Sequence, residues 1–489
     1  MNAPSVYDAV SYPGFAHAQT HPDRLFTIAA LFGMTAAPPD RCRILEVGCG
    51  DGRNLIAMAS ALPQSSFVGF DLAAQPIAAG RALAERLGLK NVTLTQQDLM
   101  AVTAEIGRFD YVIAHGFYAW VPPPVQDKLL ALCRDVLGPE GIAYVSYNAY
   151  PGSRTREMSR DVMLYHVRGV TDPSERIAAA KAALDFVRRN MPGASETGSW
   201  ILDEMERLVR QDPGALYHDT LGEIYRPCTF SDFMQRAGGH GLQYLGEADF
   251  LEMSDEPFSP EAVERLRSFG PEQILEKEQL MDHLKMRSFR QTLLCRDTLA
   301  LRRAPESEDL SRFHVSTRAR AVSPPSPSTP PGYVEYRTAK GATMVTDSQL
   351  FQRMMERLDR ARPGSVPFPE LAALCGDAAA ATPLILRMYG GAIVELHPTP
   401  PRFVMQPGET PALSELVRIQ IERSPLVTNR LHADVRIDGE MAKELMKRLD
   451  GRRNRETLLR DLAAAGVSLT PAALEAALQQ LARLALLTG

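Results

Sequence analysis

The stretch RILEVGCGDGRNL, Arg43 to Leu55, runs from a short apolar segment into three glycines at alternate positions, Gly48, Gly50 and Gly52. Directly after it, NLIAMASAL (54–62) sets apolar residues at three- and four-residue intervals, the spacing of a helix with one buried face. A strand, a glycine turn and a helix in that order make a loop that presses backbone against a ligand. Glycine carries no Cβ and reaches positive φ without strain.

The alternation continues on the C-terminal side. SFVGFD (66–71), NVTLTQQD (91–98), FDYVIAHG (109–116) and GIAYVSYN (141–148) read as strands, separated by the helical AAQPIAAGRALAERLG (73–88) and VQDKLLALCRDVL (125–137). Near-continuous apolar strands between helices predict a parallel sheet covered on both faces, an α/β fold. Residues 153–240 turn helical, and GLQYLGEADF (from Gly241) and RQTLLCRD (from Arg290) read as the closing strand pair of the same sheet. The helices between are then an insertion, with 254–289 a second helical excursion. VSPPSPSTPPG, Val322 to Gly332, is too rich in proline to join a core and reads as linker. After it come a hairpin, YVEYRTAKGATMVT, and helical patterns consistent with one or two small winged-helix-like modules.

Bulk properties exclude several classes. The 489 residues are 45% hydrophobic and 23% charged with a formal net charge of -5, so no overall basic field draws the chain to nucleic acid or membrane. From Gly332 onward 20 Lys/Arg stand against 18 Asp/Glu, too even a balance for a nucleic-acid module despite the basic KRLDGRRNRETLLR, Lys447 to Arg460. Six scattered cysteines without CxxC spacing predict free thiols and a cytoplasmic location. The opening MNAPSVYDAVSYPGF lacks the basic start and apolar core of a secretory signal, no apolar run is long enough to span a membrane, and no metal site is expected.

The loop's chemistry narrows its ligand. A dinucleotide loop reads GxGxxG, with its third glycine five residues after the first, whereas Gly52 follows Gly48 by four. Carboxylates at Glu46 and Asp51 would repel a pyrophosphate but suit a ligand with an ammonium group. S-adenosylmethionine has one, and no phosphate. Asp71, at the tip of the second strand, is placed for ribose hydroxyls. Gln96-Gln97-Asp98 follow the third strand, where a polar group can meet an adenine amine. The expected cofactor-binding set is Glu46, Gly48, Cys49, Gly50, Asp71, Leu72, Gln97, Asp98, Leu99 and His115.

The glycine stretch resembles motif I of class I S-adenosylmethionine-dependent methyltransferases. Around it, YPGFAHAQTHPDRLFTIAALFGM, AHGFYAWVP and SYNAYPG resemble bacterial protein-lysine methyltransferases that carry a methyltransferase regulatory domain, among them the rickettsial enzymes acting on outer-membrane proteins. HDTLGEIYRPCTFSDFMQRAGGHGLQYLGEADF and RSFRQTLLC resemble that regulatory segment, and VRIDGEMAKELMKRLDG the C-terminal module. Ser153 departs from the aromatic residue the resemblance leads one to expect.

The resemblance implies a Rossmann-like seven-stranded sheet in a donor-binding core at 1–152. It implies a helical, dimerising insertion at 153–240 and a regulatory segment with closing strands at 241–300. Linker is expected at 301–331, and a winged-helix-like substrate-recognition or regulatory domain at 332–489. The implied reaction is transfer of the donor's methyl to a lysine amine of a protein. Tyr118, Trp120, Tyr147 and Asn148 are expected to line the lysine channel, with His115 a candidate proton acceptor. Thr20 to Leu25 is a candidate lid, and His218 and Asp219 candidates for the acceptor cleft. A small-molecule N- or O-methyltransferase would share the donor site but has no need of so large a C-terminal half. A non-catalytic donor-sensing regulator is the third reading.

Overall fold

The computed structural model describes residues 14–191, 199–255, 258–338, 341–400 and 403–488, so most of the N-terminal stretch read for a signal lies outside them. Helix α1 (Pro22–Leu31) precedes strand β1 (Arg43–Val47) and helix α2 (Arg53–Ala61). There follow β2 (Ser66–Asp71), α3 (Ala74–Arg86), β3 (Val92–Gln96), β4 (Phe109–Ala114), α4 (Pro123–Val136) and β5 (Leu137–Asn148). Four inserted helices come next: α5 (Ser153–His166), α6 (Pro173–Asn190), α7 (Ser199–Arg210) and α8 (Pro213–Asp219). Then α9 (Phe230–Gly239), β6 (Leu242–Glu247), α10 (Pro260–Arg267), α11 (Ile274–Lys285) and β7 (Phe289–Arg296) close the sheet.

Its strand order is β3-β2-β1-β4-β5-β7-β6, with β7 antiparallel to both neighbours. The register of β1, with Ile44 opposite Phe67 of β2 and Tyr111 of β4, makes β1 the turning point of the topology. The carboxyl edge at such a turning point is where open α/β sheets bind ligands. Successive residues face opposite cores. Ile44, Ile113 and Ile142 pack with α1 and α2 on one side; Leu45, Val112 and Ala143 pack with α4 and α9 on the other.

Part of the stretch read as linker is ordered secondary structure. Helix α12 (Ser307–Leu310) and strand β8 (His314–Thr317) precede the prolines, and Val315 is fully buried. Composition shifts only at Val322, so the short pattern before it was masked by its proline-rich neighbour. Beyond β9 (Arg320–Ala321), the expected hairpin is β10 (Val334–Arg337) against β11 (Thr343–Thr346). Helix α13 (Gln349–Ala361), β12 (Val366–Pro367), α14 (Phe368–Cys375), α15 (Ala378–Gly390) and β13 (Val394–His397) follow, with β8 central between β12 and β13. Phe351, Met354, Ile385 and Leu396 share one core with α1 and the sheet.

The last module is β14 (Ala412–Leu413), α16 (Glu415–Arg423), β15 (Leu426–Thr428), β16 (Asp434–Arg436), α17 (Glu440–Arg448), α18 (Arg455–Ala464), α19 (Pro471–Arg483) and β17 (Leu487–Thr488). It has a separate core, including Val417, Met446, Leu462 and Leu478. Among the described residues no single helix is long and apolar enough to cross a membrane.

Candidate active site

The glycine loop is a series of left-handed residues: Gly48, Gly50 and Gly52 have φ of 69°, 55° and 69°. Gly48 has no room for a side chain, whereas Gly50 leaves open space beside it. A Cβ on Gly48 would lie 2.6 Å from the Phe117 ring, so the loop after β4 closes directly on the loop after β1. A Cβ on Gly50 would meet nothing within 4 Å and would project into open space above the strand ends. Asp71 organises this shape: its carboxylate accepts from the Gly50 amide at 2.9 Å and from the Ala73 amide at 2.9 Å. Gln97 donates its backbone N–H to the Asp71 carbonyl at 2.9 Å, and Asp98 caps the turn Leu99–Ala101. Leu72 is 56% exposed at the tip of β2 and Met100 49% exposed after β3, leaving an apolar margin on this edge.

Glu46 sits beneath the loop, 4% exposed. Its Oε1 accepts from Asn54 Nδ2 at 2.8 Å, while Oε2 is buried without a partner. Burial pushes this carboxyl up to about 8. An orphaned buried oxygen under an open glycine is a cradle for a cationic group, and the nearby Asp51 and Asp71 exclude an anionic one. The residues present therefore fit S-adenosylmethionine.

His115 follows β4, with Nδ1 2.8 Å from the Tyr144 hydroxyl and its ring 3.9 Å from that of His17. Burial holds His115 well below the usual imidazole range and His17 at about 4, so both are neutral at pH 7. A cavity of about 320 Å³ adjoins His115. Its lining includes His115, Trp120, Asn148 and Phe289 together with Arg156, Glu204 and Asp219 of the inserted helices. Trp120 lies on Tyr225 with centroids 5.0 Å apart.

The structure does not bring every expected channel residue to this cavity. Tyr118 and Tyr147 are 0% and 1% exposed, packed against Phe233 of α9 at 5.1 and 4.2 Å between centroids. Strand alternation explains Tyr147: it shares the α9 face with Val145, while Tyr144 and Ser146 point to the His115 side. Asp219 lines the cavity, whereas His218 is buried. The expected lid is a fixed wall. His21 caps α1, Leu25 is fully buried, and Asp23 and Arg24 bond His397 and Glu395 of β13. Ser153 stands at the cavity and donates to the Ser288 carbonyl at 3.0 Å, a small residue where an aromatic was expected. Phe117, Asn54, His17 and Tyr225 were not foreseen. All four lie inside quoted motifs, but neither their type nor their spacing marks them as site residues. Among the described residues no group of three His, Cys, Asp or Glu could hold a metal.

A glycine loop turned against an acid on the next strand tip, on a sheet of this order, is the donor site of class I S-adenosylmethionine-dependent methyltransferases, and this chain is an enzyme of that class. Comparison with known proteins carries the assignment further. A methyltransferase domain matches residues 44–141, a "predicted methyltransferase regulatory domain" 212–296, and a "PKMT, C-terminal winged helix domain" 409–473. Two uncharacterised proteins of Rickettsia prowazekii (strain Madrid E) are similar. RP789 is 36% identical over 63% of this chain and 56% of its own length; RP028 is 33% identical over 47% of this chain and 93% of its own. The chain thus spans little more than half of the first of these relatives. The fold is that of PKMT2 from Rickettsia typhi, with a TM-score of 0.82 and 24% identity over 98% of this chain and 100% of that one. PKMT2 has also been solved with AdoHcy. The chain belongs to this rickettsial-type family of class I methyltransferases with a regulatory domain.

Proposed function

We propose that the chain is a protein-lysine N-methyltransferase. The observation that carries this reading is one cavity lined both by His115, Trp120 and Asn148 at the strand ends and by Arg156, Glu204 and Asp219 of the inserted helices. Its lining joins aromatic rings to charged side chains, suited to a long aliphatic chain ending in an amine and presented by a polar macromolecule. The sequence resemblance to protein-lysine methyltransferases supports the same acceptor.

S-adenosylmethionine, when bound, supplies a methyl already activated on a sulfonium. The chain's own task is position and dryness. We assign Glu46, Gly48, Cys49, Gly50, Asp71, Leu72, Gln97, Asp98 and Leu99 to the donor, with Glu46 Oε2 available to its ammonium. Trp120, backed by Tyr225, offers an aromatic face that attracts a lysine ammonium. Exclusion of water in the cavity then lowers the amine's pKa and frees its lone pair. Asn148 gives the amine a hydrogen-bonding partner. His115 is made too weak a base by burial to take the proton, and acts by shaping the junction between donor and acceptor. Tyr118 and Tyr147 support this wall from behind.

The helices α5 to α7 expose Tyr165 and Phe186 at 63% each and Trp200 at 54%, which supports the homodimer that the resemblance implies. Sedimentation of the purified protein tests it. Six free cysteines support the cytoplasm as its location. For the main reading, methyl-labelled S-adenosylmethionine is incubated with enzyme and source-cell lysate, and labelled bands go to peptide mass spectrometry. Label on protein lysines is expected. Label confined to a small compound that resists proteinase overturns the lysine assignment.

A further inference from the structure

Asn54 is the most heavily used side chain near the donor loop. It is 4% exposed in the first turn of α2. Its Nδ2 donates to Glu46 Oε1 at 2.8 Å and to Thr20 Oγ1 at 2.9 Å. Its Oδ1 accepts the His17 backbone N–H at 2.9 Å and lies 2.8 Å from His432 Nε2. Two donors and two acceptor sites exhaust an amide. Its orientation is not ambiguous, because a backbone N–H can only donate and therefore fixes Oδ1 toward His17. His432 must then carry its proton on Nε2 and donate.

His432 belongs to the turn between β15 and β16, in the C-terminal module. It is 6% exposed and holds φ of 52°, a left-handed conformation uncommon for a residue with a side chain. Its ring lies 5.2 Å from that of His21. The same hairpin holds the segment ahead of α1. Asp434 Oδ2 accepts from the Ala16 amide at 3.0 Å, and Arg53 spans from the Gly14 carbonyl at 2.8 Å to that of Leu426 at 3.1 Å. A strained residue aimed into a fully satisfied buried amide is there for what it positions.

We propose that His432 is a positioning residue for donor binding: by donating to Asn54 it fixes the amide that orients Glu46, so the C-terminal module completes the donor site. The inference rests on the assignment of Glu46 to the donor. Without His432, Asn54 Oδ1 loses one buried partner and the amide is free to turn away from Glu46.

The test compares full-length wild type, His432→Phe, His432→Gln and Glu46→Gln. Phe keeps the ring's bulk without a donor; Gln carries an N–H donor on a side chain of similar reach. Donor affinity is measured by calorimetric titration with S-adenosylmethionine, and kcat and donor KM with a lysine-bearing protein substrate. His432→Phe is expected to weaken donor binding about tenfold, raising donor KM with little change in kcat, and His432→Gln to recover most of the loss. A merely structural role would lower the melting temperature without this split or this rescue. Wild-type donor affinity in a folded His432→Phe, with affinity lost in Glu46→Gln, overturns the proposal alone. Wild-type affinity in Glu46→Gln overturns the donor assignment beneath it. If His432→Phe does not fold, wild-type donor KM in Asn54→Asp, which cannot donate to Glu46, also overturns it.

Discussion

S-adenosylmethionine should bind about twentyfold more tightly at pH 8 than at pH 6, and more weakly again above that. Burial raises the Glu46 carboxyl to about 8 from its ordinary 4.5. If its ionised form pairs with the donor's ammonium, roughly one enzyme molecule in a hundred is ready at pH 6 and about half at pH 8. The donor's own α-ammonium titrates at about 7.7–8.0, so it is intact at pH 6 and about two-fifths remains at pH 8. The product of the two fractions gives the twentyfold rise and a bell with its top near pH 8. At pH 7 about 0.9 proton should leave Glu46 on binding while the donor's amine takes up about 0.1, a net release of about 0.8. Calorimetric titration in two buffers of different ionisation enthalpy reads that proton directly. Glu46→Gln should show a flat affinity from pH 6 to 7 and release none. A wild-type profile as flat as the variant's, or no released proton, would refute the pairing of Glu46 with the ammonium. The same shift has a sign in stability. A carboxyl raised on folding contributes most below the ordinary glutamate value of 4.5, and its contribution is lost as pH rises through about 8. The donor-free wild type should therefore lose melting temperature relative to Glu46→Gln across that window.

Other perturbations separate donor site, acceptor site and scaffold. Gly50→Val forces a β-branched residue to φ of 55° and fills the open space beside it; overpacking against the donor, about 1–3 kcal/mol, should lower donor affinity at least about tenfold, and an unchanged Kd would mean the donor lies elsewhere. Trp120→Ala should keep donor affinity and lower kcat/KM for the acceptor by about tenfold or more, the worth of one aromatic face on a cation. Normal turnover would reduce Trp120 to packing. Arg290 is fully buried among Glu247, Glu278 and Asp282. Arg290→Met takes from Glu247 its ion-pair partner at 2.6 Å and leaves Glu278 and Asp282 to share Arg287; it should cost about 3–5 kcal/mol, read as a large drop in denaturation midpoint.

The parts of this fold legible in the sequence are the local ones. β1, its glycines and the start of α2 are contiguous, and their pattern is set by backbone sterics within thirteen residues, Arg43 to Leu55. The closing pair β6 and β7 was legible as well, because strands of a covered sheet stay apolar wherever the insertions fall. Tyr147 illustrates a signal present but unread: alternation along GIAYVSYN already sends Tyr147 to the opposite face from Tyr144 and Ser146. The inserted helices' part of the cavity could not be read at all. Glu204 and Asp219 reach it only through the packing of the inserted helices on one another, which no spacing encodes. The partner of Asn54 is farther still, His432 lying 378 residues away in the chain. Contacts of that separation depend on the whole topology.

The core shared by α1, one face of the sheet and residues of the 314–397 segment bears on what can be taken apart. The proline-rich stretch between β9 and β10 is largely exposed, the kind of site a proteinase finds first. Yet the chain on its far side supplies His397 and Glu395 to α1 and His432 to the base of the donor loop. A cut there should give a nicked enzyme whose two pieces stay together on a sizing column. A gene ended at the same point would encode a first helix with no cover and a donor loop with no floor. Cleavable and separable are therefore different properties of this chain.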